Sequence, residues 1–146
     1  MASWSYLLYC YTLSNGFLAL LVYYLVPVLI FASYLCIITF LHHTEENIPW
    51  YANSEWDFVK GQLSTIDRDY GIIHHIIHTI GTHQMHHMFT RIPHYRLEQA
   101  TGHFRKNFPE LVRICNEPIL PSFMRMFRKF VAQSVIPDDT KRHAFK

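Results

Sequence analysis

Three histidines fall within five residues in the stretch Gly81-Thr82-His83-Gln84-Met85-His86-His87. Positions i, i+3 and i+4 share one face of a helix, so these imidazoles converge if the stretch is helical. Convergence is what ligands of one metal centre need, and neutral imidazole is the commonest metal-binding side chain. The ring suits iron, zinc, copper and nickel alike, so the cluster does not choose its metal. An exposed polar helix that is merely rich in histidine is the ordinary alternative. His42, His43, His74, His75, His78 and His94 crowd the neighbouring sequence and favour the metal. A zinc module using His83, His86, His87 and one further histidine is a second metal reading.

The elements that must position such a cluster divide by charge. The chain has 146 residues, enough for one domain. Half of them are of hydrophobic type, a composition that leans towards a membrane. No Lys, Arg, Asp or Glu precedes Glu45, and all thirteen basic and eleven acidic residues lie from there onward. Such a chain changes solvent part-way along. A net charge of +2 gives no argument for nucleic acid. Cys10, Cys36 and Cys115 form no paired framework and read as reduced, structural residues.

Residues 1–16 form an apolar, aromatic segment closed by a turn at Ser14-Asn15-Gly16. It reads as an interfacial segment or as part of a membrane helix. Residues 17–41 carry no charge and exceed the about 20 apolar residues that a membrane-spanning helix needs. With every Lys and Arg after it, the positive-inside rule places residues 42–146 in the cytosol. There the spacing of Trp56, Val59, Leu63 and Ile66 predicts a short helix over 55–66. Asp67-Arg68-Asp69-Tyr70-Gly71 reads as a polar turn. Pro93 suits the start of a helix from His94 to about Asn107. Ser122 is a candidate N-cap for a last helix with apolar Phe123, Met126, Phe127, Phe130 and Val131. That helix could lie on the cytosolic leaflet or dock on the protein. Residues 137–146 read as a frayed polar tail. The fold class is all-α: a membrane helix, or helix pair, followed by a cytosolic helical cap.

Several motifs occur in a fixed order: His43-Thr44, Ile48-Pro49-Trp50-Tyr51, Glu55-Trp56-Asp57-Phe58, Thr65-Ile66-Asp67-Arg68-Asp69-Tyr70-Gly71, the Gly81–His87 stretch, and Arg91-Ile92-Pro93-His94-Tyr95. Together they resemble the C-terminal part of a membrane-bound fatty acid desaturase, of the omega-6 or omega-3 type. The resemblance runs from about Tyr23 to Lys106, and the tail after Phe108 is not assigned to the shared pattern on these motifs.

This resemblance implies a four-helix membrane enzyme with a cytosolic cap, in which three histidine boxes hold two iron ions. Such enzymes use dioxygen to insert a cis double bond into a fatty acyl chain. They usually draw electrons from cytochrome b5 at the endoplasmic reticulum. On this pattern His83, His86 and His87 match the third box, and His43 matches an extra iron ligand at the cytosolic end of the last membrane helix. Asp67, Asp69 and His78 are candidates to support the ligands through hydrogen bonds, while His42, His74 and His75 are expected bystanders. The departures are large, since no histidine precedes His42 and the first two boxes have no counterpart. The expectation is a fragment, inactive alone. A related di-iron fatty acid hydroxylase and a non-catalytic protein that associates with an intact desaturase are the other readings.

Overall fold

The computed structural model describes residues 2–133, 135–136 and 140–145. They divide into two compact units, Met1–Thr39 and Phe40–Lys146. Helices predominate, in keeping with the all-α reading, and four two-residue strands supplement them.

In the first unit, helix α1 (Ala2–Asn15) ends where Gly16 takes φ +83°, a left-handed turn that glycine adopts without steric cost. The chain continues through α2 (Phe17–Leu20), a wider π-helical turn (Leu21–Leu25) and α3 (Val26–His43). The π turn sits just before Pro27, which has no N–H to offer and whose ring would press on the preceding turn. Val26 N–H instead reaches back to the Leu21 carbonyl. Phe17–His43 is thus one run of 27 residues, with a mean hydropathy of 2.3 over an 18-residue window, long and apolar enough to cross a bilayer. Trp4 donates from its indole nitrogen to the Tyr24 hydroxyl at 2.8 Å, which joins α1 to this run.

The second unit opens on the last turn of α3. Helix ends leave carbonyls without partners. Here the His42 carbonyl accepts from Thr65 Oγ1 at 2.8 Å and from Ile66 N–H at 3.1 Å. The next residues form strand β2 (Asp67–Arg68), paired in parallel with β3 (Ile114–Cys115). The predicted polar turn is therefore a correction. Asp67, Arg68 and Tyr70 are buried, and of that run Asp69 and Gly71 are exposed. The reason is ion pairing and hydrogen bonding: Arg68 meets the buried Glu45 carboxylate, and its backbone N–H donates to the Gly81 carbonyl at 2.9 Å.

Helix α4 (Phe58–Gln62) is shorter than the periodicity predicts, because Asp57 caps it by accepting from Lys60 N–H at 2.9 Å. Helix α5 (His83–Met88) carries the histidine stretch, and α6 (His94–Asn107) begins directly after Pro93. Helix α7 (Ile119–Ala132) starts earlier than expected. Ser122 lies inside it, fully buried, and donates to Glu45 Oε2 at 2.8 Å rather than capping the helix. Residues 137–139 and 146 of the predicted tail lie outside the described residues. The rest of that tail is ordered by pairing: β4 (Arg142–His143) joins β1 (Trp50–Tyr51) in an antiparallel pair, and Phe145 is buried. The core of this unit includes Leu41, Ile48, Leu63, Ile66, Met85, Leu97 and Met126.

Candidate metal centre

His43 ends α3 and His83 and His87 lie one turn apart on α5. Their nearest ring nitrogens all lie within 4.8 Å of one another. His83 Nε2 stands 3.1 Å from His43 Nε2 and 3.1 Å from His87 Nε2. His86 is half-buried beside them, its ring centroid 5.5 Å from that of His83 and 5.7 Å from that of His87.

Several groups outside the trio fix these rings. His87 Nδ1 faces Gln62 Oε1 at 3.3 Å. A carboxamide oxygen only accepts, so the proton of His87 sits on Nδ1 and the Nε2 lone pair points into the trio. His43 is hydrogen-bonded to the backbone of Ser64. His42 is wholly buried and stacks on His83 with ring centroids 4.1 Å apart. Both nitrogens of His42 are engaged: Nδ1 donates to the Ile66 carbonyl at 2.6 Å, and Tyr70 Oη donates to Nε2 at 2.9 Å. With both nitrogens occupied, His42 is not a donor to the trio and stands as a fixed plate behind His83.

The trio as it stands holds a conflict. His83 Nδ1 is buried and has no hydrogen-bond partner among the described residues. If His83 keeps its proton there, its Nε2 lone pair faces the lone pair of His87. If the proton moves to Nε2, the buried Nδ1 lone pair is left unmatched, at a cost of about 1–3 kcal/mol. Protonating the rings does not resolve this. Burial and the neighbouring imidazoles push His83 well below the usual imidazole range and His87 down to about 4. A cation among the three Nε2 atoms would accept all three lone pairs from neutral rings. The donor set therefore fits a metal ion of the kind imidazole prefers.

The remaining residues singled out in the sequence lie elsewhere. Asp67 touches the backbone of α5, not an imidazole: Oδ1 accepts from Gln84 N–H at 2.9 Å and Oδ2 from Arg105 at 2.9 Å. Burial pushes its carboxyl up, and the Gln84 and Arg105 hydrogen bonds oppose that shift. Asp69 is exposed and accepts from Gly71 N–H at 2.8 Å. His78, at φ +57°, packs on His94 with ring centroids 4.6 Å apart. His74 approaches Glu98 at 3.3 Å. Sequence reasoning passed over Gln62 and Tyr70. Each is one polar residue in a loop-rich stretch, and no spacing rule connects it to residues 42 or 87.

Comparison with known families matches residues 1–118 to the family described as fatty acid desaturase. An sn-1 acyl-lipid omega-3 desaturase (ferredoxin) of Synechocystis sp. is 50% identical over 112 residues, covering 77% of this chain and 31% of the relative. A Delta(12) acyl-lipid conjugase (11E,13E-forming) of Impatiens balsamina is 37% identical over 138 residues, covering 93% of this chain and 36% of its own length. An acyl-lipid omega-3 desaturase (cytochrome b5), endoplasmic reticulum, of Arabidopsis thaliana is 52% identical over 88 residues, 59% of this chain and 23% of that protein. The chain thus spans about a third of the length of the first curated relatives it matches. No solved structure matches. With a family match over most of its length and a histidine cluster fit to hold metal, the chain belongs to the fatty acid desaturase family.

Proposed function

We propose that this chain forms the last part of a membrane desaturase that inserts a cis double bond into a fatty acyl chain, of omega-3 or omega-6 type. The observation that supports it most is the imidazole trio at the end of a helix apolar enough to cross a bilayer. An acyl chain dissolved in the membrane would meet metal there, at the surface.

His43, His83 and His87 would hold one iron ion, and His86 would contribute to a second whose other ligands this chain does not supply. The iron pair, when bound, supplies with dioxygen the power to break an unactivated C–H bond, which no side-chain acid or base has. The protein's own part is to position and to dry the site. Gln62 keeps the His87 proton on the outer nitrogen, and His42 holds the plane of His83. Asp67 fixes the start of α5 and so the spacing of His83 to His43. Asp69 and His78 would support this frame only through the loop that leads into α5. Residues 42–146 would lie in the cytosol, with the basic residues on that side. The electron donor would be a small one-electron carrier of the kind named for the relatives. Cytochrome b5 would place the protein in the endoplasmic reticulum, and ferredoxin in another membrane.

Activity would then require the remaining histidine ligands. The test is expression in yeast fed a monounsaturated fatty acid, followed by lipid profiling. The chain alone is expected to yield no new double bond. A chimera that places the upstream two-thirds of an omega-3 relative before it should yield a dienoic or trienoic acid, lost on His83→Ala. A new unsaturated product from the chain alone would refute the claim of dependence. A hydroxy acid from the chimera would assign the site to hydroxylation instead.

A further inference from the structure

Helix α7 lies beyond the residues matched to the family, and its surface is divided in an unusual way. One side docks on the protein. Ser122 and Met126 are buried, Arg125 pairs with Glu45 at 2.9 Å and Glu46 at 2.6 Å, and Lys129 pairs with Glu46. An adjacent side carries Phe123 and Phe130, whose rings pack edge-on against Phe40 with centroids 5.7 and 5.6 Å apart. Next to that side, Leu120, Met124, Phe127 and Val131 follow at helical spacing and are all exposed, Leu120 by 67% and Val131 by 61%. Exposed Arg128 borders this stripe on the far edge.

Phe40 belongs to the apolar run Phe17–His43. A helix whose aromatic rings pack on Phe40 adjoins the last turns of that run, the end that a membrane-spanning helix would bring to the headgroups. The stripe continues the Phe40-facing side of α7 around the helix without a polar gap, and exposed Arg128 comes next beyond Met124. An amphipathic helix with apolar residues on one side and cations beside them is suited to lie in that interface. We propose that α7 rests in the membrane surface, with Leu120, Met124, Phe127 and Val131 inserted among the lipid chains and Arg128 at the headgroups. This holds whether or not the imidazole trio binds iron.

The test uses the full chain in phosphatidylcholine vesicles containing phosphatidylglycerol, with Cys10, Cys36 and Cys115 replaced by serine. A nitroxide is attached in turn at Val131→Cys, Phe127→Cys and, as an aqueous control, at exposed Lys106→Cys on α6. Collision with oxygen, which concentrates in lipid, is compared with collision with a water-soluble nickel chelate. The oxygen-to-chelate ratio at positions 131 and 127 should be several-fold above that at 106. Equal ratios would overturn the proposal, because the stripe would then face water. Shielding from both reagents would overturn it as well, because protein would then cover the stripe. Val131 makes no ring stack that its replacement would break, so a fault confined to the Phe127 variant leaves the measurement decisive.

Discussion

At the scale of single residues, the imidazole trio depends on side chains that lie outside it. Gln62→Leu keeps the volume near His87 but removes the acceptor for its Nδ1 proton. Loss of such an outer partner typically weakens metal affinity about 10–100-fold. Titration of the chain with ferrous iron or a cobalt surrogate, monitored by absorbance, should show that loss while circular dichroism stays unchanged. Gly81 is a second such residue. A Cβ there would run into the Arg68 carbonyl oxygen and the His74 ring, and the Arg68 oxygen belongs to a strand with little room to move. Gly81→Ala should cost about 1–3 kcal/mol, the usual range for overpacking, and should lower the melting temperature in detergent. The histidines of the centre were legible from spacing and from the resemblance. Gly81 was legible only as part of a motif, because the close approach that demands it comes from a strand thirteen residues upstream.

At the scale of elements, α5 is too short to stabilise itself and is held from outside. It has six residues, and the Thr82 side chain at its N-cap donates back to the Thr79 carbonyl at 2.7 Å instead of capping the helix. Asp67 of β2 takes over that role across the fold, and Gln84 ties the other side by donating to the Leu111 carbonyl and accepting from Arg113 N–H. Asp67→Ala would leave the Gln84 N–H and the Arg105 guanidinium without their partner, a loss of about 1–3 kcal/mol. Hydrogen exchange should show the Gln84 amide opening faster than amides within α6. Hydrophobic periodicity reveals long helices such as α3 and α6, and both were legible in the sequence. It cannot reveal two-residue strands. Asp67-Arg68 looked like a surface turn because its charges are compensated by Glu45, 23 positions from Arg68, and Arg105, 38 positions from Asp67.

At the scale of the whole molecule, α7 is joined to the loop after α3 by charge. Lys129 and then Arg125 hold the Glu46 carboxyl below the usual carboxylate range. A carboxylate with a depressed folded pKa adds stability above its unfolded pKa, and that stability is lost as pH falls through the folded value. Glu46 is partly exposed, so solvent screening makes the effect small. Glu45 and Glu117 face Arg125 as well, at 2.9 and 2.5 Å. The protection of α7 amides, taken relative to the intrinsic exchange rate at each pH, should therefore fall below about pH 4 while that of α6 holds. The closing strand pair has a consequence for synthesis. Asn47 N–H donates to the Phe145 carbonyl and Ala52 N–H to the Lys141 carbonyl. The turn that follows His43 therefore waits for partners about ninety residues later in translation. A nascent chain released before Lys141 would present His43 beside a turn whose latch was never made.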